Sequence, residues 1–143
     1  MEAAVEFEEL SSEVCRHLLA SEEVGRLAFI GDDGCPIVFP VNYAVEGDLI
    51  VLRTDSESVV NAVLARPVAF EVEHLAPAYR GGWSVLVRGV GRDLGGVDRN
   101  DVVEERHGSV RPWAPGSKHH RLGLEIDQVS GRRIVSPAEP DPR

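Results

Sequence analysis

VFPVNYAVEGDLIVLRTDSES, residues 38–58, is the stretch that decides the fold. Two apolar runs, Ile37 to Val45 and Leu49 to Leu52, flank the acidic turn Glu46-Gly47-Asp48, which predicts a β-hairpin. The second run ends in Arg53, Thr54, Asp55, Ser56 and Ser58, and Val59, Val60, Val63 and Leu64 follow at helical spacing. A strand that ends in an arginine and hydroxyls just before a helix is a candidate anion cradle, because a helix N-terminus presents free N–H groups. The same residues fit a plainer reading, in which Arg53 pairs with Asp55 and Ser56 or Ser58 caps the helix. Pro40 interrupts the first run. Proline donates nothing to a ladder, so it marks an edge, a bulge or a place where a ligand approaches the backbone.

Working outward, Leu10-Ser11 followed by Glu13, Val14, Cys15, Leu18 and Leu19 predicts a capped amphipathic helix, with Leu10 stapled onto Cys15. Arg26 to Ile30 alternates as a half-buried strand, and Gly31-Asp32-Asp33-Gly34 is a turn. Ser56 or Ser58 opens a helix that runs through Arg66, and Pro67 closes it. Val68, Phe70 and Val72 then alternate with Ala69, Glu71 and Glu73 as a strand with one wet face. His74 to Gly82 reads as a loop. Trp83 to Leu94 reads as one long or bent strand, with Gly89 and Gly91 where a bulge would fall.

Asp98 to Arg106 is expected to be a short surface helix or loop, and Pro112-Trp113-Ala114-Pro115-Gly116 irregular chain. Leu122, Leu124 and Ile126 alternate again, and Val129 to Val135 adds a short strand. The acidic N-terminal run reads as a solvated helix face. About six strands with closely spaced turns predict a mainly β, antiparallel barrel with peripheral helices, which leaves few open edges. Residues 1–136 are expected to form one domain, and the proline-rich 137–143 a disordered tail.

The totals exclude several functions. A net charge of -9 argues against nucleic acid, which needs a basic stripe. Of the 15 basic residues only Lys118 is a lysine, so any phosphate contact rests on arginine, hydroxyls or backbone N–H groups. No apolar run approaches the ~18 residues of a membrane span, and MEAAVEFEEL is acidic where a signal peptide is basic. A cytoplasmic location is the resulting expectation. Cys15 and Cys35 form no CxxC unit and read as reduced thiols. His119-His120 point apart in a strand with no ligand cluster beside them, so they read as a solvated pair near Lys118 and Arg121. His17, His74 and His107 read as isolated, and no metal is expected.

Four segments together carry a resemblance: GRLAFIGDDGCPIVFPVNYAVEGDLIVLRT at 25–54, VAFEVEHLAPAYRGGWSVLVRGVG at 68–91, PWAPG at 112–116 and SGRRIV at 130–135. In this order, over roughly residues 8 to 135, the chain resembles the flavin-binding split-barrel proteins related to pyridoxamine 5'-phosphate oxidase. The resemblance implies a homodimer of six-stranded antiparallel split barrels, with one FMN in each of two clefts at the subunit interface. It places the backbone of Phe39, Pro40, Val41 and Asn42 along the flavin ring. It gives the phosphate to Arg53, Thr54 and Ser58, with Ser56 competing for that role. Trp83 and Ser84 lie near the cofactor, and the segment around Trp113 and Arg132 approaches the cleft, often from the other subunit. Taken alone, Trp83 is as well suited to filling the barrel, and Arg132-Arg133 to a charged surface turn.

One departure stands out. Relatives commonly read RTxxGxK after the third strand, and here Glu57 and Val59 replace the glycine and lysine. A charge-assisted hydrogen bond contributes roughly 1.5–3 kcal/mol, so its loss, with added repulsion, weakens FMN binding by roughly ten- to a thousand-fold. On this register Val59→Lys would tighten FMN binding.

The leading expectation is an FMN-dependent oxidoreductase of unknown substrate, in which the flavin does the redox chemistry and no side chain is named as catalytic. Pyridoxamine phosphate oxidation itself is not expected, since the chain is short and lacks a substrate-phosphate set. The alternative is a dimeric binding protein that holds a flavin or haem, or no cofactor. Glu57 and Val59 are the residues that favour it.

Overall fold

The computed structural model describes residues 6–96 and 120–135. The central hairpin forms as its spacing predicts. β3 (Pro36–Glu46) and β4 (Leu49–Thr54) pair antiparallel from Tyr43↔Leu52 to Glu46↔Leu49. β3 serves two neighbours in turn: Pro36–Asn42 pairs with β2 (Val24–Ile30), and only the remainder pairs with β4.

From β2 the ladder continues to β5 (Val68–Ala76) and then β6 (Gly81–Gly89). From β4 it continues to β8 (His120–Glu125) and then β7 (Gly91–Gly96). Only Val90 separates β6 from β7, so the ladder returns to its start. β2, β3, β4, β8, the β7–β6 run and β5 are the six staves of an antiparallel split barrel. β9 (Gln128–Val135) and β1 (Glu6–Glu9) extend the sheet beyond β6. The nine described strands therefore exceed the six expected because one stave is broken and two strands lie outside the ring.

Two close approaches set the bend at Val90. A Cβ on Gly89 would stand 1.9 Å from the carbonyl oxygen of Glu125, and one on Gly91 would stand 2.2 Å from Cγ1 of Val63. Any side chain there would push away a strand or a helix. The expected bulge at these glycines is instead a change of sheet, and the register slips further on, between Asp93 and Gly95.

The alternating apolar residues point inward. Leu27, Phe70 and Val87 lie side by side across three strands, and Ile50, Leu52, Leu122 and Leu124 line the other wall. Burying each such side chain stabilises the fold by about 1.5–3 kcal/mol. Helices α1 (Ser12–Leu19) and α2 (Glu57–Ala65) add Cys15, Leu18 and Leu19, and Val59, Val60, Ala62 and Val63, to the same core. Ser11 caps α1 by accepting from the Val14 N–H, and Leu10 packs against the core as the staple pattern predicts. No helix among the described residues is long and apolar enough to cross a membrane.

Two expectations need correction. The loop expected from His74 to Gly82 is mostly strand: β5 runs to Ala76, a single 3-10 turn spans Pro77–Tyr79, and β6 begins at Gly81. Leu75↔Gly82 and Ala76↔Gly81 pairing supplies the hydrogen bonds that a loop would leave unmade. The acidic N-terminus is not a helix face over 6–9 but β1. Glu8 and Glu9 lie opposite Arg133 and Arg132, so opposite charges favour the pairing. The segments expected at 98–106 and 112–116, with Trp113, His107, His119 and the tail, lie outside the described residues.

Candidate functional site

The split between β3 and β4 opens at Tyr43↔Leu52. Beyond that pair, Phe39–Asn42 lie against β2 while Arg53 and Thr54 lie against β8, as Arg53↔Arg121 and Thr54↔His120. Among the described residues no strand pairs with this edge of β3, which here parts from β4. Pro40 sits in the stretch of β3 with one strand neighbour, the place where a sheet tolerates proline. Phe39 and Val41 pack against the core, and the Phe39 ring meets Phe29 edge-on at 5.6 Å. Val38 and Pro40 face outward, and Asn42 Nδ2 donates to the Glu23 carbonyl at 3.4 Å.

The β4 side of the split is polar. Thr54 Oγ1 accepts from the Ser56 N–H at 3.0 Å, and Ser56 Oγ accepts from the Val59 N–H at 3.3 Å. Ser56 is therefore the cap of α2, and exposed Ser58 stands beside it with the two hydroxyls 3.0 Å apart. Thr54, Ser56 and Ser58 are thus brought together, while Arg53 precedes them on β4 opposite Arg121. Glu57 is exposed in the first turn of α2, where a carboxylate complements the helix dipole. Val59 turns the other way, 8% exposed and part of the core.

Residues 11–133 match the protein-family model for pyridoxamine 5'-phosphate oxidase. The chain belongs to this family. Three similar proteins show how far the likeness extends. An FAD binding protein from Mycobacterium smegmatis is 31% identical, over 90% of this chain and 98% of that one, with a TM-score of 0.70. An FAD-binding protein from Mesorhizobium loti is 25% identical, over 92% and 98%, with a TM-score of 0.71. An uncharacterized protein of Mycobacterium tuberculosis is 29% identical over 94% of this chain and 90% of its own length.

In this member of the oxidase family the remaining expected site residues lie elsewhere. Ser84 and Arg132 are direct partners across β6 and β9, on the outer face of the sheet. They line a groove of about 500 Å³ with Phe7, Glu9, Glu71 and Leu86. The Arg132 guanidinium stands 5.1 Å over the Phe7 ring, a cation–π contact. Strands β5 and β2 separate this groove from Phe39–Asn42 within one chain. Trp83 is on the opposite face from Ser84, 8% exposed within the core, so here it fills the barrel. Its ring stacks on His74 at 6.4 Å.

Three features escaped sequence reasoning. Glu71 Oε1 is shut off from solvent without a hydrogen-bond partner, 3.8 Å from Arg26. Desolvation, then the neighbouring Glu73 charge, pushes the Glu71 carboxyl above its ordinary pKa, and Arg26 opposes this. His74, read as isolated, has its Nδ1 2.9 Å from Glu22 in a second outer groove of about 640 Å³ that also includes Arg26, Pro40 and Glu73. Arg121, named in the sequence only as a neighbour of the histidine pair, lies opposite Arg53 and pairs with Glu46 at 3.7 Å. No sequence signal separates these from other outward-facing charges. Among the described residues no group of histidine, cysteine or carboxylate side chains is placed to hold a metal.

Proposed function

We propose that this chain is a flavin-dependent oxidoreductase that binds FMN in the β3–β4 split. The split itself carries the reading. It offers an apolar strand edge at Phe39–Asn42 for a flat ring, and hydroxyls with an arginine at Arg53–Ser58 for a phosphate. This donor set fits a flavin phosphate ester. The flavin supplies the electron transfer, while the protein anchors the phosphate, orients the ring and keeps water from one face. Two relatives described as FAD-binding support a flavin as the ligand class.

The working unit on this reading is a homodimer. Phe7, Val38, Leu75, Leu86 and Ile134 are large apolar residues left exposed on the outer sheet face. Apolar residues spread over one face mark an interaction surface. A second copy on that face would cover them, and would bring its Ser84–Arg132 groove to a cleft that in one chain lacks it. The structure favours one alternative, a binding protein without turnover, through Glu57 at the cradle and Val59 inside the core.

The test is to purify the protein, record its visible spectrum and titrate FMN, FAD and haemin. Micromolar or tighter FMN binding, about -8 kcal/mol, together with reduction and substrate-dependent reoxidation of the bound flavin, is expected. Flavin binding without turnover would favour the carrier reading. No flavin binding at millimolar concentration would sink both, and haemin binding would then name another ligand class.

A further inference from the structure

We propose that Glu71 makes assembly proton-linked: when a second copy covers the outer sheet face, the Glu71 carboxyl takes up a proton, so the pair tightens as pH falls. Such a pair is the homodimer proposed above, on which this link depends.

Register places Glu71 between two apolar rows. On one side Leu75 lies opposite Gly82, Gly82 opposite Ile134 and Ile134 opposite Phe7, a continuous row across β5, β6, β9 and β1. On the other, Val38 lies opposite Ala28 and Ala28 opposite Ala69, across β3, β2 and β5. Ala69, Glu71, Glu73 and Leu75 alternate outward along β5, since Phe70 and Val72 point into the core. Leu86, itself exposed, is the direct cross-strand partner of Glu71. A copy that covers both rows therefore covers Glu71 as well.

This carboxyl is ill suited to a charged, dry state. Oε1 is already shut off from solvent with no hydrogen-bond partner, while the side chain as a whole is still 40% exposed. A second copy would remove that remaining water, and a buried carboxylate without donors neutralises rather than staying charged. The charged neighbours do not prevent this. On β2, Arg26 lies 3.8 Å from Glu71 but donates to Glu73 at 3.0 Å. Glu73, two residues on along β5, repels a charge on Glu71. On β6, Arg88 donates to Gln128 Oε1 at 2.6 Å. Arg132 of β9 stands over the Phe7 ring and opposite Glu9 of β1. Burial and then Glu73 already raise the Glu71 pKa in one chain, with Arg26 opposing them. Further burial raises it further. Affinity is then full below the free chain's value and falls as pH rises through the assembled value.

The test is sedimentation equilibrium of the full-length protein at about pH 6 and about pH 8. The chain's net charge of -9 adds a general repulsion that also weakens at low pH. Salt at about 0.5 M shortens the screening length to about 4 Å and suppresses that repulsion, but not the cost of a buried carboxylate. Wild type should dissociate with a constant roughly ten-fold lower at the lower pH, the effect of about half a proton taken up per pair over two pH units. Glu71→Gln should hold the low-pH constant at both, and Glu13→Gln on α1, an equal change in charge, should keep the wild-type slope. A wild-type dimer of pH-independent affinity, a slope that survives in Glu71→Gln, or one that Glu13→Gln removes equally, overturns the proton link and leaves the dimer standing. Wild type that stays a single chain at both pH values ends the dimer and the link together. Should Glu71→Gln fail to fold, carbon-13 NMR titration of the Glu71 carboxyl above and below the dissociation constant decides. A higher midpoint in the assembled protein supports the link, and an equal one overturns it.

Discussion

Tyr43 on β3 and Glu71 on β5 lie two strands apart, and burial raises the pKa of both. The Tyr43 hydroxyl donates to the Leu19 carbonyl, tying β3 to the end of α1, and the ring meets Phe70 edge-on at 5.0 Å. Tyr43→Phe should cost about 1–3 kcal/mol, the penalty for leaving a buried acceptor unpaired, as read by urea unfolding. Burial, then Glu22, also raises the Tyr43 pKa. The folded state keeps this proton while the unfolded chain releases it near pH ~10, so stability falls above that pH. The phenylalanine variant should lack this component of the alkaline fall. Glu71 is a carboxyl with its pKa raised, so the folded state binds the proton more tightly. Stability attributable to it is full below about pH 4 and declines as pH rises through the folded value. Glu71→Gln should raise the unfolding midpoint at neutral pH and leave it nearly unchanged at pH ~4; an equal gain at both would remove desolvation as the cause. Neither residue could be told apart from its neighbours in the sequence. Alternation assigns a face to each, but the desolvation of Glu71 depends on strands that the pattern around it does not mention.

Elements built from nearby residues were legible, and those completed from afar were not. The β2–β3–β4 hairpins, the Ser11 cap and the end of α2 at Pro67 each follow from a pattern within a dozen residues. β1 is four exposed residues whose partners lie at Arg132 to Val135, so no local period could reveal it. The candidate site divides the same way. Thr54 and the serines sit together because they are near in sequence, whereas Arg121 comes opposite Arg53 only through the β4–β8 register. Helix α2 also changes what is expected of a lysine at position 59. Val59 is core, so Val59→Lys should destabilise the fold by about 1.5–3 kcal/mol, read as a lowered urea midpoint, whatever it does to affinity. A variant of unchanged midpoint that binds FMN more tightly would restore the simpler reading from the sequence.

For the whole molecule, the six-stave ring was legible in outline because turn signals and alternation recur along the chain. A dimer is implied only by the family resemblance. Val38, 61% exposed on the outer face of β3 between Pro36 and Pro40, is the residue to test for it. Val38→Asp should raise the dimer dissociation constant at least about ten-fold, since one buried charge opposite apolar surface costs more than 1.4 kcal/mol. Sedimentation at micromolar concentration would show the mass fall to that of one chain. A wild-type protein already sedimenting at 15.6 kDa would end the dimer reading.

The partnership of β4 with β8 has a consequence for how the protein is made. A growing chain that has left the ribosome through residue 96 holds β1 to β7, but β8 and β9 are still to come. Until they arrive, β4 and β7 each lack the neighbour that joins them, and Arg53 has no Arg121 opposite. Closure then waits on contacts distant in sequence, which form slowly. Interrupted synthesis would therefore leave bare strand edges prone to pairing with other chains. The ring of staves would thus stay open until β8 is made.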